Sequence, residues 1–153
     1  MKALLTAAAL LAAGQAQALS CRAPDLMTSY AEAAASDLPY LILTGTLTGL
    51  PATDGIAEAT TATGQMTGMG LTPDGFTVPY DGDVVVNVTC AGPWCGGFPG
   101  TEPLLAFVQI DGPVPVLTMG PCGGWTFPAP DTATTDRLAA CLGGAACSAQ
   151  PLQ

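Results

Sequence analysis

No histidine occurs anywhere in the 153 residues, and the only lysine is Lys2. A Ser–His or Cys–His catalytic pair therefore cannot be assembled, and a lysine base would have to be Lys2 itself. Zinc loses its usual nitrogen ligand by the same absence. Basic residues as a class are scarce: Lys2, Arg22 and Arg137 stand against twelve acidic residues. Such a balance repels phosphate backbones and anionic membrane surfaces, so nucleic acid is excluded as an expected partner. The acids are scattered rather than blocked, which fits solubility through net charge and leaves a basic protein partner open. Also missing is any apolar run of the roughly 20 residues that a membrane-spanning helix needs.

The apolar run from Ala3 to Ala13 follows Met1-Lys2 and ends in Gly14-Gln15-Ala16-Gln17-Ala18. One basic residue, a short apolar core and a small-x-small ending are the parts of a secretory signal peptide, expected here over residues 1–18. Removing it leaves residues 19–153, a single-domain length, in the periplasm or outside the cell. Without Lys2, two positive charges face twelve negative ones, and the net charge moves from −9 to −10. Ala18-Leu19-Ser20 before Cys21 also resembles a lipoprotein signal. A lipid on Cys21 would leave an odd thiol among six cysteines, and Ala18 stands where such signals place leucine.

Cysteine is present in even number: Cys21, Cys90, Cys95, Cys122, Cys141 and Cys147 all follow the leader. In an oxidising compartment that favours three disulfides, whose pairing the spacing alone does not choose. Each bridge stabilises by about 2–4 kcal/mol, a large share for a domain with a modest core.

The chain between the cysteines reads as mainly β. Pro24–Ala35 predicts a short helix with Leu26, Tyr30, Ala33 and Ala34 on one face. Tyr40–Leu50 predicts a strand with leucines facing a core and Tyr40, Ile42 and the threonines facing solvent. Gly45 and Gly49 within it point to a bend or a close approach of another segment. Residues 57–71 predict a weak, bent strand, and Phe76–Cys90 a hairpin turning at Asp81-Gly82-Asp83. Leu104–Ile110 and Val114–Met119 are further strand candidates, separated by a turn at Asp111-Gly112-Pro113. Gly/Pro-rich loops at 91–103 and 120–130 carry the near-copies Cys95-Gly96-Gly97-Phe98 and Cys122-Gly123-Gly124-Trp125. Asp131–Leu142 predicts a closing helix, with an acidic N-cap and Gly143-Gly144 at its end. About five strands flanked by a helix near each end fit a small, partly closed antiparallel barrel in one domain.

Several chemistries can be weighed on these residues. The strand leading to Trp94-Cys95-Gly96 resembles the approach to a thioredoxin-like active site, but position 98 is Phe98 where a second thiol is required. Gly96-Gly97-Phe98-Pro99-Gly100 will not form the helix that such a thiol needs. Asp81 and Asp83 are the nearest carboxylate pair, and an Asp-Gly turn explains them without catalysis or calcium. Met66 and Met69 could attract copper, yet an offset of three residues along a strand puts them on opposite faces. No cofactor and no metal site is expected. Trp94, Phe98, Trp125 and Phe127 either pack on the disulfides or form a possible contact surface.

Cys21-Arg22-Ala23-Pro24, a short helix and then a long strand from Tyr40 resemble the start of the netrin-like module shared with tissue inhibitors of metalloproteinases. Cys95-Gly96, the strand Leu104-Leu105-Ala106-Phe107, then Cys122 and a closing helix extend the resemblance over most of residues 19–153. It implies an OB-like five-stranded barrel with helices at its side, and Cys21 tethered to Cys95 or Cys122. In those inhibitors an N-terminal cysteine presents its amine and carbonyl to the protease zinc. Cleavage after Ala18 would leave Leu19 and Ser20 ahead of Cys21. The expectation is an exported, non-enzymatic binding module for an unidentified protein or small ligand. The alternatives are a metalloprotease-type inhibitor acting through the Cys21 arm and a thiol–disulfide oxidoreductase at Cys95.

Overall fold

A computed structural model describes residues 19–52 and 55–147; the expected leader at 1–18 lies outside the described residues. The order of elements is α1 (Leu26–Ala34), β1 (Tyr40–Thr48), β2 (Thr60–Thr72), β3 (Gly75–Val88), β4 (Cys90–Ala91) and β5 (Trp94–Cys95). There follow β6 (Leu104–Gln109), β7 (Val116–Met119), β8 (Thr126–Pro128) and α2 (Thr132–Leu142). The chain is mainly β, with a helix before and after the strands.

Both helices start on an aspartate. Asp25 accepts from the Thr28 amide at 2.8 Å, and Asp131 accepts from the Thr134 amide at 2.7 Å. Each carboxylate satisfies one of the amides that a first helical turn leaves without a partner. Gly143 and Gly144 close α2, their amides bonding back to Ala139 and Cys141. In α1 the residues facing the core are Met27, Ser29 and Ala33, with Leu26 and Tyr30 half-buried beside them. Ala34, expected on the buried face, is exposed.

Six strands form one sheet in the order β1-β2-β3-β7-β6-β8, and β1 also pairs with β6, so five of them close a ring. All ring pairings are antiparallel except β3 with β7, which is parallel. The seam between β6 and β7 is the narrowest, a single pair between Gln109 and Val116. Farther along the same edge of β6, β8 pairs over Leu104–Ala106. That strand falls in a stretch expected to be loop. A separate two-stranded ribbon joins β4 to β5.

β1 serves both halves of the ring. Its first half pairs with β6 from Tyr40 to Gly45, and its second with β2 from Leu43 to Thr48. Where the partners change, Gly45 lies opposite Gly68. A Cβ on Gly45 would stand 2.2 Å from the Thr67 carbonyl oxygen, and one on Gly68 2.0 Å from that of Thr44. Two glycines let the backbones approach closely there, the role anticipated for Gly45.

The expected hairpin turn at Asp81-Gly82-Asp83 is not a turn. Those residues lie in the middle of β3, paired with Thr67, Met66 and Gln65 of β2. The chain reverses instead at Thr72-Pro73-Asp74-Gly75, where the Thr72 hydroxyl accepts from the Asp74 amide and donates to the Gly75 carbonyl. Proline at the second position and glycine at the fourth suit a tight turn better than Asp-Gly-Asp does. β2 and β3 thereby become one long ladder, with a register shift after Gly70. Pro79 is tolerated because β3 has a neighbour on one edge only at that level.

The sheet has apolar side chains on both faces. Inside the ring lie Leu43, Leu47, Met66, Val84, Val86, Phe98, Ala106 and Leu117 among others. Outside, under the helices, Ile42, Leu105 and Phe107 meet Met27, Leu138 and Cys141. β6 borders both layers, which is why Leu104 to Val108 is an unbroken apolar run, buried throughout. Ile42, expected to face solvent with the threonines, is buried in the outer layer because the helices cover that end of β1.

Candidate functional site

All six cysteines are paired: Cys21 with Cys122, Cys90 with Cys95, and Cys141 with Cys147. The bridge from Cys21 takes the Cys122 option of the two that the netrin-like resemblance implied. Its sulfur is then no longer a free thiol for lipid attachment. Cys90 and Cys95 face each other across the β4–β5 ribbon with Cα atoms 3.9 Å apart. The ribbon is stitched to the end of β7: the Thr89 amide donates to Met119 O and the Gly96 amide to Thr89 O, each at 3.0 Å. A Cβ at Gly96 would stand 2.1 Å from Met119 O, so the residue after Cys95 must be glycine. No helix begins there; residues 96–103 are irregular.

The second copy works differently. Gly123 and Gly124 have positive φ values of 68° and 108°, and they turn the chain from Cys122 into β8. Trp125 then stacks on Tyr40 with ring centroids 5.1 Å apart, and meets the edge of Phe107 at 6.1 Å.

The four aromatics offered as a contact surface are not brought together as one. Phe98 is buried inside the ring, Trp125 is packed between Tyr40 and Phe107, and Phe127 sits edge-on to Phe107. Only Trp94, 48% exposed at the tip of the ribbon, projects from the surface.

Asp81 and Asp83 are exposed on the outer face of β3. Asp81 accepts from Gln65 Nε2 at 2.6 Å, a cross-strand contact in place of the turn expected there. Met66 is buried inside the ring and Met69 lies opposite Pro79, so the two sulfurs point to opposite faces. Among the described residues no group of three metal-ligating side chains comes together.

Two hollows open at the surface of the domain. The first, of about 290 Å³, lies between the Cys21 arm and α1 and is lined by Arg22, Asp25, Ser29, Glu32 and Gly123–Gly124. It is polar at its floor, where the Ser29 hydroxyl donates to the Gly124 carbonyl.

The second lies where β1 and β2 part. Their ladder begins at the pair Leu43–Gly70, and from there the tip of the β2–β3 hairpin bends toward α2 instead of continuing along Tyr40–Ile42. The register shift after Gly70 marks the bend. The gap left at the strand edge is a cleft of about 270 Å³ lined by Tyr40, Leu41, Ile42, Leu71, Val78, Tyr80 and Leu142. A neighbouring hollow of about 200 Å³ shares Tyr40, Ile42 and Leu142 with it and reaches Tyr30, Ala33 and Ala34 on α1. No charged side chain lines either one. Val78 at 54% and Leu142 at 44% exposed are two of the few large apolar residues left open to water, and both stand at this cleft.

The tyrosines register this environment. Burial raises the hydroxyls of Tyr30, Tyr40 and Tyr80 above the ordinary phenol range. The carboxylate of Glu32 adds to the rise at Tyr40, and that of Asp83 at Tyr80. The three phenols are therefore neutral donors and acceptors at physiological pH.

Sequence patterns pointed to the cysteine loops and missed this cleft. Its signal was the Thr72-Pro73-Asp74-Gly75 turn: once the chain reverses there, Val78 falls opposite Gly70 and beside the start of β1. Compared with protein-family models, with curated proteins and with solved structures, the chain matches none.

Proposed function

We propose that this protein is an exported, non-enzymatic binding module on an OB-like barrel, and that its ligand enters the cleft between β1 and the β2–β3 hairpin. The observation carrying this reading is the cleft itself. It is concave and apolar, carries two phenols, and leaves Val78 and Leu142 exposed at the gap beyond Leu43–Gly70, where the β1–β2 ladder stops. Concave apolar sites with a few polar groups are the usual form of a small-ligand site.

The barrel assignment rests on strand order. A ring running β1-β2-β3-β7-β6, with β1 shared between its halves and β3 parallel to β7, agrees with a five-stranded Greek-key barrel of OB type. Export is supported by three disulfides, which form and persist in oxidising compartments. No helix among the described residues is long and apolar enough to cross a membrane.

The test is binding of a neutral solvatochromic dye such as Nile red. The oxidised protein should shift its emission to the blue with one saturable site, and Leu142→Glu should abolish that site while leaving the thermal melt unchanged. Leu142 is exposed enough for a charge to be tolerated in the fold. Undiminished binding in Leu142→Glu overturns the reading.

One observation favours a second reading, a metalloprotease-type inhibitor. The exposed Cys21 arm is tethered to Cys122, one of the two pairings that the netrin-like resemblance implies, and it lies beside an open hollow. Sequencing the N-terminus of exported protein and assaying a zinc protease decides it: a start at Leu19 with no inhibition removes it. The oxidoreductase reading draws less support, since Cys95 bonds to Cys90 within a ribbon and heads no helix.

A further inference from the structure

The cleft is walled by strand edges as well as by side chains. β1 pairs with β6 from Tyr40 onward, but its ladder with β2 begins only at Leu43. Across the gap, Leu71 and Thr72 pair with Phe76 and Gly75 of β3 and with no residue of β1. The Ile110 amide donates to the Pro39 carbonyl at 2.8 Å, which sets the phase of the β1–β6 ladder. Backbone groups alternate between the two edges of a strand. Leu41 therefore bonds toward β6, and Tyr40 turns its amide and carbonyl into the gap, where β2 does not meet them.

The side chains leave room for a further strand. Val78 pairs with Gly70, and Gly70 with Leu43, so all three present the face that lines the ring interior. Gly70 puts no side chain between the other two, and a Cβ there would meet nothing nearer than 3.6 Å.

A purely apolar molecule in the cleft would take water from the Tyr40 amide and carbonyl and give them no partner, which opposes its binding. A peptide backbone supplies both the missing acceptor and the missing donor, while its alternate side chains reach the apolar wall. Open strand edges are templates for such pairing. No charged side chain lines the cleft, so the side chains that enter it must be neutral.

We infer that the cleft takes an extended, uncharged segment of a partner polypeptide, which continues the ladder past Leu43 by pairing with Tyr40. An inward side chain of that segment lies opposite Leu41 and fills the space left by Gly70 beside Val78. This inference rests on the binding-module reading above and gives its ligand a chemical class.

The test uses oxidised protein labelled with heavy nitrogen at tyrosine alone, whose three residues give three amide signals. A capped pentapeptide of alternating valine and threonine should shift the Tyr40 amide and slow its exchange with solvent about tenfold, leaving Tyr30 unmoved. The same peptide with every amide N-methylated should bind about tenfold more weakly, since it cannot donate to the Tyr40 carbonyl. Gly70→Ala, for which the fold has room, should weaken the peptide several-fold without lowering the thermal melt. Equal binding of the two peptides, or equal protection of Tyr40 by decanol, overturns the backbone pairing. Protection of Tyr40 in concentrated protein alone, lost on dilution, assigns the edge to a second copy and overturns the partner segment. A Nile red site lost in Leu142→Glu, with Tyr40 unmoved by peptide, overturns the ligand class and leaves the cleft a binding site. Failure of both dye and peptide to bind overturns the site along with it.

Discussion

The hydroxyl of Ser29, buried on α1, donates to the carbonyl of Gly124 at 2.5 Å and so joins the first helix to the loop that follows Cys122. This is the non-covalent partner of the Cys21–Cys122 bridge, which ties the same two segments one step away. Ser29→Ala leaves the Gly124 carbonyl in need of another donor and should cost about 1–2 kcal/mol of stability. Urea unfolding of the oxidised protein measures it. An unchanged midpoint would mean that water replaces the hydroxyl without loss.

The three bridges should differ in worth according to the chain they enclose. Cys21–Cys122 spans a sequence separation of 101, against 5 for Cys90–Cys95 and 6 for Cys141–Cys147. Loop-closure entropy then gives about 5 kcal/mol for the first and about 2 kcal/mol for each of the others. Paired Cys→Ser variants, compared by chemical denaturation, should rank in that order. A Cys90/Cys95 variant less stable than the Cys21/Cys122 variant contradicts it.

At the crossing of β1 and β2, Gly45→Ala or Gly68→Ala places a methyl group against backbone carbonyl oxygen that cannot move aside. Each should cost about 3 kcal/mol or leave little folded protein. Gly100→Ala, where a Cβ would meet open space, should be neutral. Circular dichroism melts of the three variants decide this, and similar melting temperatures for all three would refute the close contact.

Acid and alkali should act through different residues. The Thr134 side chain and then its amide hold the Asp131 carboxyl below its ordinary value. A lowered folded pKa means that its contribution is complete above the unfolded value of about 4 and is lost as pH falls through the folded one. Asp131→Asn keeps a capping oxygen, so it should flatten this acid limb without weakening the neutral protein. The tyrosines run the other way. Their folded pKa values are raised, so their contribution is complete below the unfolded value of about 10 and fades as pH rises through the folded values. Absorbance at the phenolate band should therefore rise at higher pH in native than in unfolded protein for all three tyrosines. Coincident titration curves would contradict the burial of Tyr30, Tyr40 and Tyr80.

What could be read from the residues was mostly local. Asp25 and Asp131 announced two helices because a capping carboxylate acts within its own turn. The apolar run Leu104–Ile110 announced a strand, and the structure buries both its faces from Leu104 to Val108. Asp81-Gly82-Asp83 misled because Asp-Gly is a genuine turn signal, outweighed here by a better turn at Thr72–Gly75 and a long ladder. Trp94 and Trp125 follow a proline and a glycine in similar loops, yet one is exposed and the other stacked on Tyr40. That difference is made by the distant start of β1, which no nearby residue reports. The cleft was hidden for the same reason: it is a gap between strands, and a gap belongs to the register.

The bridge from Cys21 to Cys122 encloses every strand of the ring, since β1 through β7 run from Tyr40 to Met119. Tension applied between residue 19 and the end of the chain would pass from the arm straight into Cys122 and bypass the ring altogether. Only the segment carrying β8 and α2 would bear the load. Under mechanical stretching the oxidised protein should release a short length of chain and keep its ring intact, while the reduced protein unravels in full.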